Sequence, residues 1–221
     1  MYILIIDTST TRPLVVITCQ GRPVFSKELP VGHQSSKYLD SALQEGFSSL
    51  KITTKNLRAV AVTVGPGSFT GIRVGVALAK GICLGQNLPL ISLCSLKGLI
   101  SRREGPFMSL IDARGGGAYI LRGNQKKGKI SFIGLPERVP LEKLQFKGPV
   151  VTPDALNIKG KFSSSVDWIE KGADPFYLAY LAEEKFQKKE YSENCGCFLI
   201  YSTYTHSTSR IGILAVPKPR A

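Results

Sequence analysis

The sequence predicts an α/β chain built as two halves of similar plan, each a mixed β-sheet covered by helices. Three observations carry this. Strand-sized apolar runs alternate with amphipathic stretches. Short turns with Gly or Pro join the first three runs into a meander. The pattern then restarts near Gly105-Pro106, as a duplicated fold would. The division falls between residues 1–103 and residues 104–221, the second half being the more degraded.

Residues 2–6 are apolar throughout, as a strand covered on both faces is. Leu14–Cys19 follows a turn carrying Arg12-Pro13, and residues 23–29 follow Gly21, so the three pair antiparallel. Leu39, Leu43, Phe47 and Leu50 recur at helical spacing over residues 35–50, with Ser35 or Ser36 as cap. Residues 58–64 read as a buried strand. The turn Gly65-Pro66-Gly67-Ser68 leads into a helix over 70–85, ended by Asn87-Leu88-Pro89. A short strand at 89–93 and a helix over 95–103 complete the first half.

The second half opens with a strand at 107–112 that ends on Asp112. Strands at 118–122 and 129–134 flank a basic turn at 125–128. A short helical stretch at 141–145, the strand Pro149–Thr152 and a strand at 165–169 follow. Asp174 caps a helix over 175–189, with Pro175 at its first position and Lys185, Lys188 and Lys189 toward its end. Residues 197–204 have strand composition, 205–210 are polar, and 217–221 read as a frayed end.

With 43% hydrophobic and 20% charged residues among 221, the bulk of the chain is not disordered. No apolar run approaches the ~20 residues of a membrane-spanning helix. Asp7 interrupts the N-terminal apolar run, against a cleavable signal peptide, so a cytoplasmic location is expected. The net charge of +13 permits contact with nucleic acid or another polyanion. It is spread out: residues 1–103 carry 12 basic and 4 acidic side chains, residues 104–221 carry 17 and 12. No basic stripe interleaved with aromatics marks a dedicated RNA surface. Cys19, Cys83, Cys94, Cys195 and Cys197 form no CxxC pair, and His33 and His206 are far apart, so reduced thiols and no metal are expected.

The block from Val64 to Gly75, VGPGSFTGIRVG, is the least ordinary stretch. Its glycines and the helix start beyond them suit an anion, but the spacing is neither GxxxxGK[ST] nor GxGxxG. Gly71, Gly75 and Ala79 share one helical face, beside Val74, Leu78 and Ile82. Ala42 and Gly46 repeat the spacing on the preceding helix. Such faces admit close approach either to the protein's own sheet or to a partner's helices, and spacing alone leaves both open. Asp7-Thr8-Ser9-Thr10 and Asp112-Ala113-Arg114 lie at strand ends. Each can hold a Mg²⁺-nucleotide phosphate or form an Asx-turn, and the turn is the favoured reading. No Ser-His-Asp set or clustered general base appears.

Ile5-Ile6-Asp7-Thr8-Ser9, the VGPGSFTGIRVG block, Ser92-Leu93 with Ser95-Leu96, and Ile111-Asp112-Ala113-Arg114 together resemble the bacterial TsaB (YeaZ) family, in order and approximate spacing. The resemblance covers residues 1–122 well and the rest by general plan. It implies the actin-like fold shared with Hsp70 and sugar kinases, related to ribonuclease H. It further implies a non-catalytic role in threonylcarbamoylation of adenosine 37 in tRNAs that read ANN codons. TsaC-type enzymes make threonylcarbamoyl-AMP, TsaD transfers the group, and the TsaE ATPase binds the TsaB–TsaD pair. A homodimer when TsaD is missing is also implied, with tRNA met only through the complex and no membrane contact.

The first two helices form the family's TsaD interface. Carried over, that assigns Tyr38, Leu39, Ala42, Leu43, Gly46, Gly71, Val74, Gly75, Leu78 and Ala79 to a partner seam. A bulky residue at Gly75 would then abolish partner binding and leave the monomer folded. The TsaD group carries a HxxxH metal site; here His33 is followed four residues later by Lys37, so metal-assisted catalysis is not expected. Active relatives carry Asp-x-Gly in the first phosphate loop. Here Asp7-Thr8-Ser9 makes that loop vestigial, so no cofactor is expected, with room left for ATP or ADP at the partner interface. The family's C-terminal Pro-x-Tyr-x-Arg-like strand is matched only by Phe198-Leu199-Ile200-Tyr201-Ser202, without the proline or arginine. An ATP-dependent kinase or ATPase of the same superfamily, and a glycoprotease-like metallopeptidase, are the competing readings.

Overall fold

The computed structural model describes residues 1–30, 35–161 and 166–192. His33, Cys195, Cys197, His206, Ser165 and the strand expected within 197–204 lie outside the described residues.

The first half holds β1 (Tyr2–Asp7), β2 (Leu14–Cys19), β3 (Arg22–Glu28), α1 (Ser35–Ser49), β4 (Leu57–Thr63), α2 (Phe69–Gln86), β5 (Leu90–Leu93) and α3 (Ser95–Gly98). The second holds β6 (Gly105–Arg114), β7 (Gly117–Lys126), β8 (Lys129–Pro140), β9 (Pro149–Thr152), α4 (Ala155–Ile158), β10 (Asp167–Glu170) and α5 (Pro175–Gln187). The strand orders are β3-β2-β1-β4-β5 and β8-β7-β6-β9-β10. They are the same order, with β6 in the place of β1. In each half a three-stranded antiparallel meander is extended by two parallel strands. The duplication expected from the sequence is therefore present in the topology.

β1 is apolar on both faces because both are covered. Leu4 and Ile6 join a core with Leu39, Ala42 and Leu43 of α1 and Ala79 and Cys83 of α2. Ile3 and Ile5 meet Leu178, Ala179, Leu181 and Ala182 of α5 on the other side. The alternation of strand side chains thus divides one apolar run between two cores. In the second sheet, Met108 and Leu110 pack with Leu141, Leu144 and Ile158, whereas Phe107 and Ile111 pack with Leu96, Leu99 and Ile100. α5 follows β10 in sequence yet folds back onto the first sheet, where Arg58 of β4 pairs with Glu183 and lies over the Phe186 ring.

One expected element is shorter than the sequence implied. The helix over 95–103 stops at Gly98. The carbonyl of Gly98 accepts from Asp174 N at 2.9 Å, and that of Leu99 from the Ser109 hydroxyl at 2.6 Å. Both acceptors are taken by other elements, so the helical ladder does not continue.

Candidate functional site

The first strand-end loop is built around Asp7, which is fully buried. Its Oδ1 accepts from Ser9 N at 2.9 Å, from the Ser9 hydroxyl at 2.6 Å and from the Thr63 hydroxyl at 2.7 Å. Its Oδ2 is buried and accepts nothing from the protein. Burial pushes the carboxyl pKa up, and the three donors oppose that shift. The bond to Ser9 N is the Asx-turn favoured at this place. Asp112 forms its counterpart in the second half, accepting from Arg114 N at 2.7 Å.

The VGPGSFTGIRVG block closes over this loop. Ser68 N donates to Ser9 O at 2.7 Å, and the Thr8 hydroxyl donates to Gly71 O at 2.7 Å. A Cβ at Gly67 would lie 2.1 Å from Ser9 O, one at Gly71 2.0 Å from Thr8 O, and one at Gly75 2.3 Å from Thr8 Oγ1. Only glycine lets the start of α2 sit this close. Ser68 caps the helix and accepts from Gly71 N at 3.2 Å. Asp7, Thr8 and Ser9 are buried as a result. Asp7 Oδ1, the Ser9 amide and hydroxyl and the Thr8 hydroxyl are bonded to one another, to Thr63 or to α2.

The same geometry places the residues of the expected seam. Gly71, Gly75 and Ala79 face the protein's own β1 and Thr8. Leu39, Ala42 and Leu43 are buried beneath α1. A Cβ at Gly46 would meet the Ile17 and Phe25 side chains at 2.9 Å. Periodicity grouped these small residues correctly, but the surface they meet is the first sheet. Tyr38 is 44% exposed, and Val74 and Leu78 are half-buried at the margin of the core.

The open face of α2 lies on its other side. Phe69, Arg73, Ala77, Gly81, Leu84 and Gly85 fall within a little under half of the helix circumference at ~100° per residue, and all are exposed. Phe69 is 62% and Leu84 67% exposed, and a Cβ at Gly81 or Gly85 would meet nothing within 4 Å. Arg73 lies over the Phe69 ring, 3.7 Å from its centroid. This stripe was legible as a third set of four-residue spacings, but the stronger Gly71–Gly75 pattern masked it.

Asp154 was not singled out from the sequence. Its Oδ1 accepts from the Thr11 hydroxyl at 2.9 Å and its Oδ2 from Asp112 N at 3.1 Å, so it ties the ends of the two sheets together. Its carboxyl pKa is raised by burial. Its place after β9 matches that of Val64-Gly65 after β4, a correspondence only the paired topology reveals. Among the described residues no group of three or more His, Cys, Asp or Glu could hold a metal ion, and no helix is long and apolar enough to cross a membrane.

Comparison with known proteins places this geometry. The family model described as TsaD, tRNA N6-adenosine threonylcarbamoyltransferase, matches residues 31–131. The tRNA threonylcarbamoyladenosine biosynthesis protein TsaB of Escherichia coli K12 is 32% identical over 124 residues, 54% of this chain and 53% of that protein. The chain thus spans about half the length of that relative. TsaB of Bacillus subtilis 168 is 25% identical over 205 residues, 84% of this chain and 88% of that one. YeaZ from Pseudomonas aeruginosa superposes with a TM-score of 0.75 at 18% identity, covering 86% of this chain and 94% of that one. The fold is the duplicated actin-like, ribonuclease H-like one. With its VGPGSFTGIRVG block seated on the first strand-end loop, the chain is similar to the TsaB (YeaZ) proteins in sequence over its first half and in fold.

Proposed function

We propose that this chain is a non-catalytic subunit that binds and supports a TsaD-type transferase installing threonylcarbamoyl on adenosine 37 of tRNA. The observation that carries the reading is the open face of α2. Phe69, Ala77, Gly81 and Leu84 form an exposed apolar stripe with small residues at its centre, which admits a partner helix at short range. Val74 and Leu78 of the expected seam lie along α2 with part-exposed side chains, and Tyr38 of α1 is 44% exposed. The occupant is the transferase, with a second copy of this chain taking the same face when the transferase is absent. A TsaE-type ATPase would join the pair, in the cytoplasm.

The non-catalytic part of the reading rests on the closed loop. In a kinase or ATPase of this fold the first strand-end loop must meet phosphate, yet here Thr8 and Ser9 are covered by the start of α2. The peptidase reading needs a second metal ligand where Lys37 stands.

The test is reconstitution. Tagged chain and transferase are co-purified, and threonylcarbamoyladenosine is measured by mass spectrometry of digested tRNA. Ala77→Glu and Gly81→Leu are expected to abolish co-purification and modification while the far-ultraviolet spectrum and Tm are retained. Unchanged complex formation by both variants would remove the interface. Calorimetry showing tight Mg-ATP binding with turnover by the isolated chain would favour the ATPase instead.

A further inference from the structure

Three stretches that look unrelated in the sequence converge on one open groove of about 830 Å³. Arg102 comes from the connection after α3, Gln125 and Lys129 from the ends of β7 and β8 that flank their turn, and Phe176, Tyr177 and Tyr180 from the first turns of α5. The buried face of α5 is Leu178, Ala179, Leu181 and Ala182, spent against the first sheet. That leaves Phe176 60% and Tyr180 53% exposed, so neither ring is held in a core.

The rings are ordered. Tyr177 and Tyr180 stack with centroids 5.7 Å apart and planes 26° apart. Arg102 is held by Asp174 Oδ2 through its Nε at 3.1 Å and its Nη2 at 2.9 Å, with its guanidinium 5.9 Å from the Phe176 centroid. Lys129 lines the groove, and Lys126 and Lys127 share its turn and are exposed. The acids nearby are engaged: Asp174 caps α5 and holds Arg102, and Glu104 accepts from Lys127 N at 2.9 Å. Gln125 Oε1 is buried and accepts nothing from the protein, leaving an acceptor for a ligand N–H.

We propose that this groove binds unpaired RNA, with a base on the Phe176–Tyr180 shelf, its exocyclic amine toward Gln125, and phosphates toward Arg102 and the β7–β8 lysines. Flat aromatics beside a cationic rim are what sequence-tolerant single-strand recognition requires, because every base has a π-face and every nucleotide a phosphate. A duplex keeps its bases stacked and could use the lysines alone. The inference goes beyond the proposed function, since binding here belongs to this chain without the transferase.

The test is fluorescence anisotropy with the full chain, a labelled unstructured RNA octamer, and a duplex of the same length. Single-strand binding weakened by salt is expected. The Phe176→Ala/Tyr180→Ala double variant should lose about tenfold or more in affinity with Tm unchanged. Charge reversal at Lys126, Lys127 and Lys129 should lower both affinity and its salt dependence. Absence of single-strand binding, equal binding by the aromatic variant, or duplex binding as tight as the single strand would overturn the proposal. Co-purification with the transferase, read in parallel, stands or falls with the α2 face alone.

Discussion

The Thr8 hydroxyl donates to the carbonyl oxygen of Gly71 at 2.7 Å, across 63 residues of chain. This bond fixes the start of α2 over the end of β1. It works only because the glycines at 67, 71 and 75 leave no Cβ between the two segments. The loop after β1 is a seat for the protein's own helix.

Gly71→Ala and Gly75→Ala are therefore expected to destabilise the chain by roughly 2 kcal/mol or more, since the new methyl meets backbone or a fixed hydroxyl. Gly81→Ala faces open space and should stabilise it by about 0.5–1 kcal/mol through helix propensity. Urea unfolding of the three variants separates the inward glycines from the outward one. Equal destabilisation in all three would show that the faces are misassigned.

Asp7 gives a pH dependence of defined sign. Its unfolded carboxyl titrates near 3.8, and burial raises the folded value. Between the two, the folded state keeps a proton the unfolded state has released. Stability from this group is thus present below the unfolded value and is lost as pH rises from about 4 through the folded pKa. Asp7→Asn should lack this slope, so the stability difference between wild type and variant shrinks with rising pH. Parallel urea curves for the two proteins across that range would contradict the assignment.

Arg58 and Glu183 tie β4 to α5 with side chains only 18% and 20% exposed. Glu183→Ala leaves the guanidinium largely buried and is expected to cost roughly 1–3 kcal/mol. Adding Arg58→Ala should cost less than the sum of the single changes, and a double-mutant cycle reads the coupling. Strict additivity would mean that the pair contributes nothing.

Asp154 joins Thr11 to Asp112 N at the junction of the two sheets. Asp154→Ala is expected to cost roughly 1–3 kcal/mol and to raise amide exchange at Asp112 above that within β1. Exchange unchanged at Asp112 would show that the junction is held by other contacts.

Much of the fold was legible in residue order. Each expected strand among the described residues has an observed one over most of its length, and Asp174 caps α5 with its carboxylate accepting from Phe176 N and Tyr177 N at 3.1 Å. The expected helix over 95–103 ran too far because propensity counts neighbours in sequence. It does not see Asp174 N and the Ser109 hydroxyl taking the carbonyls of Gly98 and Leu99. The site was legible as composition and not as direction. Gly71, Gly75 and Ala79 were grouped on one face, but nothing local says which surface that face meets.

The sequence by itself determined the repeated strand plan, the doubly covered β1, the helical stripes and the glycine block that seats α2. Those follow from periods of 2 and 3.6 and from backbone freedom at glycine, which are local properties. Only the tertiary structure decided that the glycine face turns inward and that Ala77, Gly81 and Leu84 remain outside. It alone carried α5 back to the first sheet, and it alone gathered Arg102, Lys129 and Phe176 around one groove. Charge and aromatics spread over some 75 residues form no stripe along the chain; they become a surface when two sheets and a returning helix bring them together.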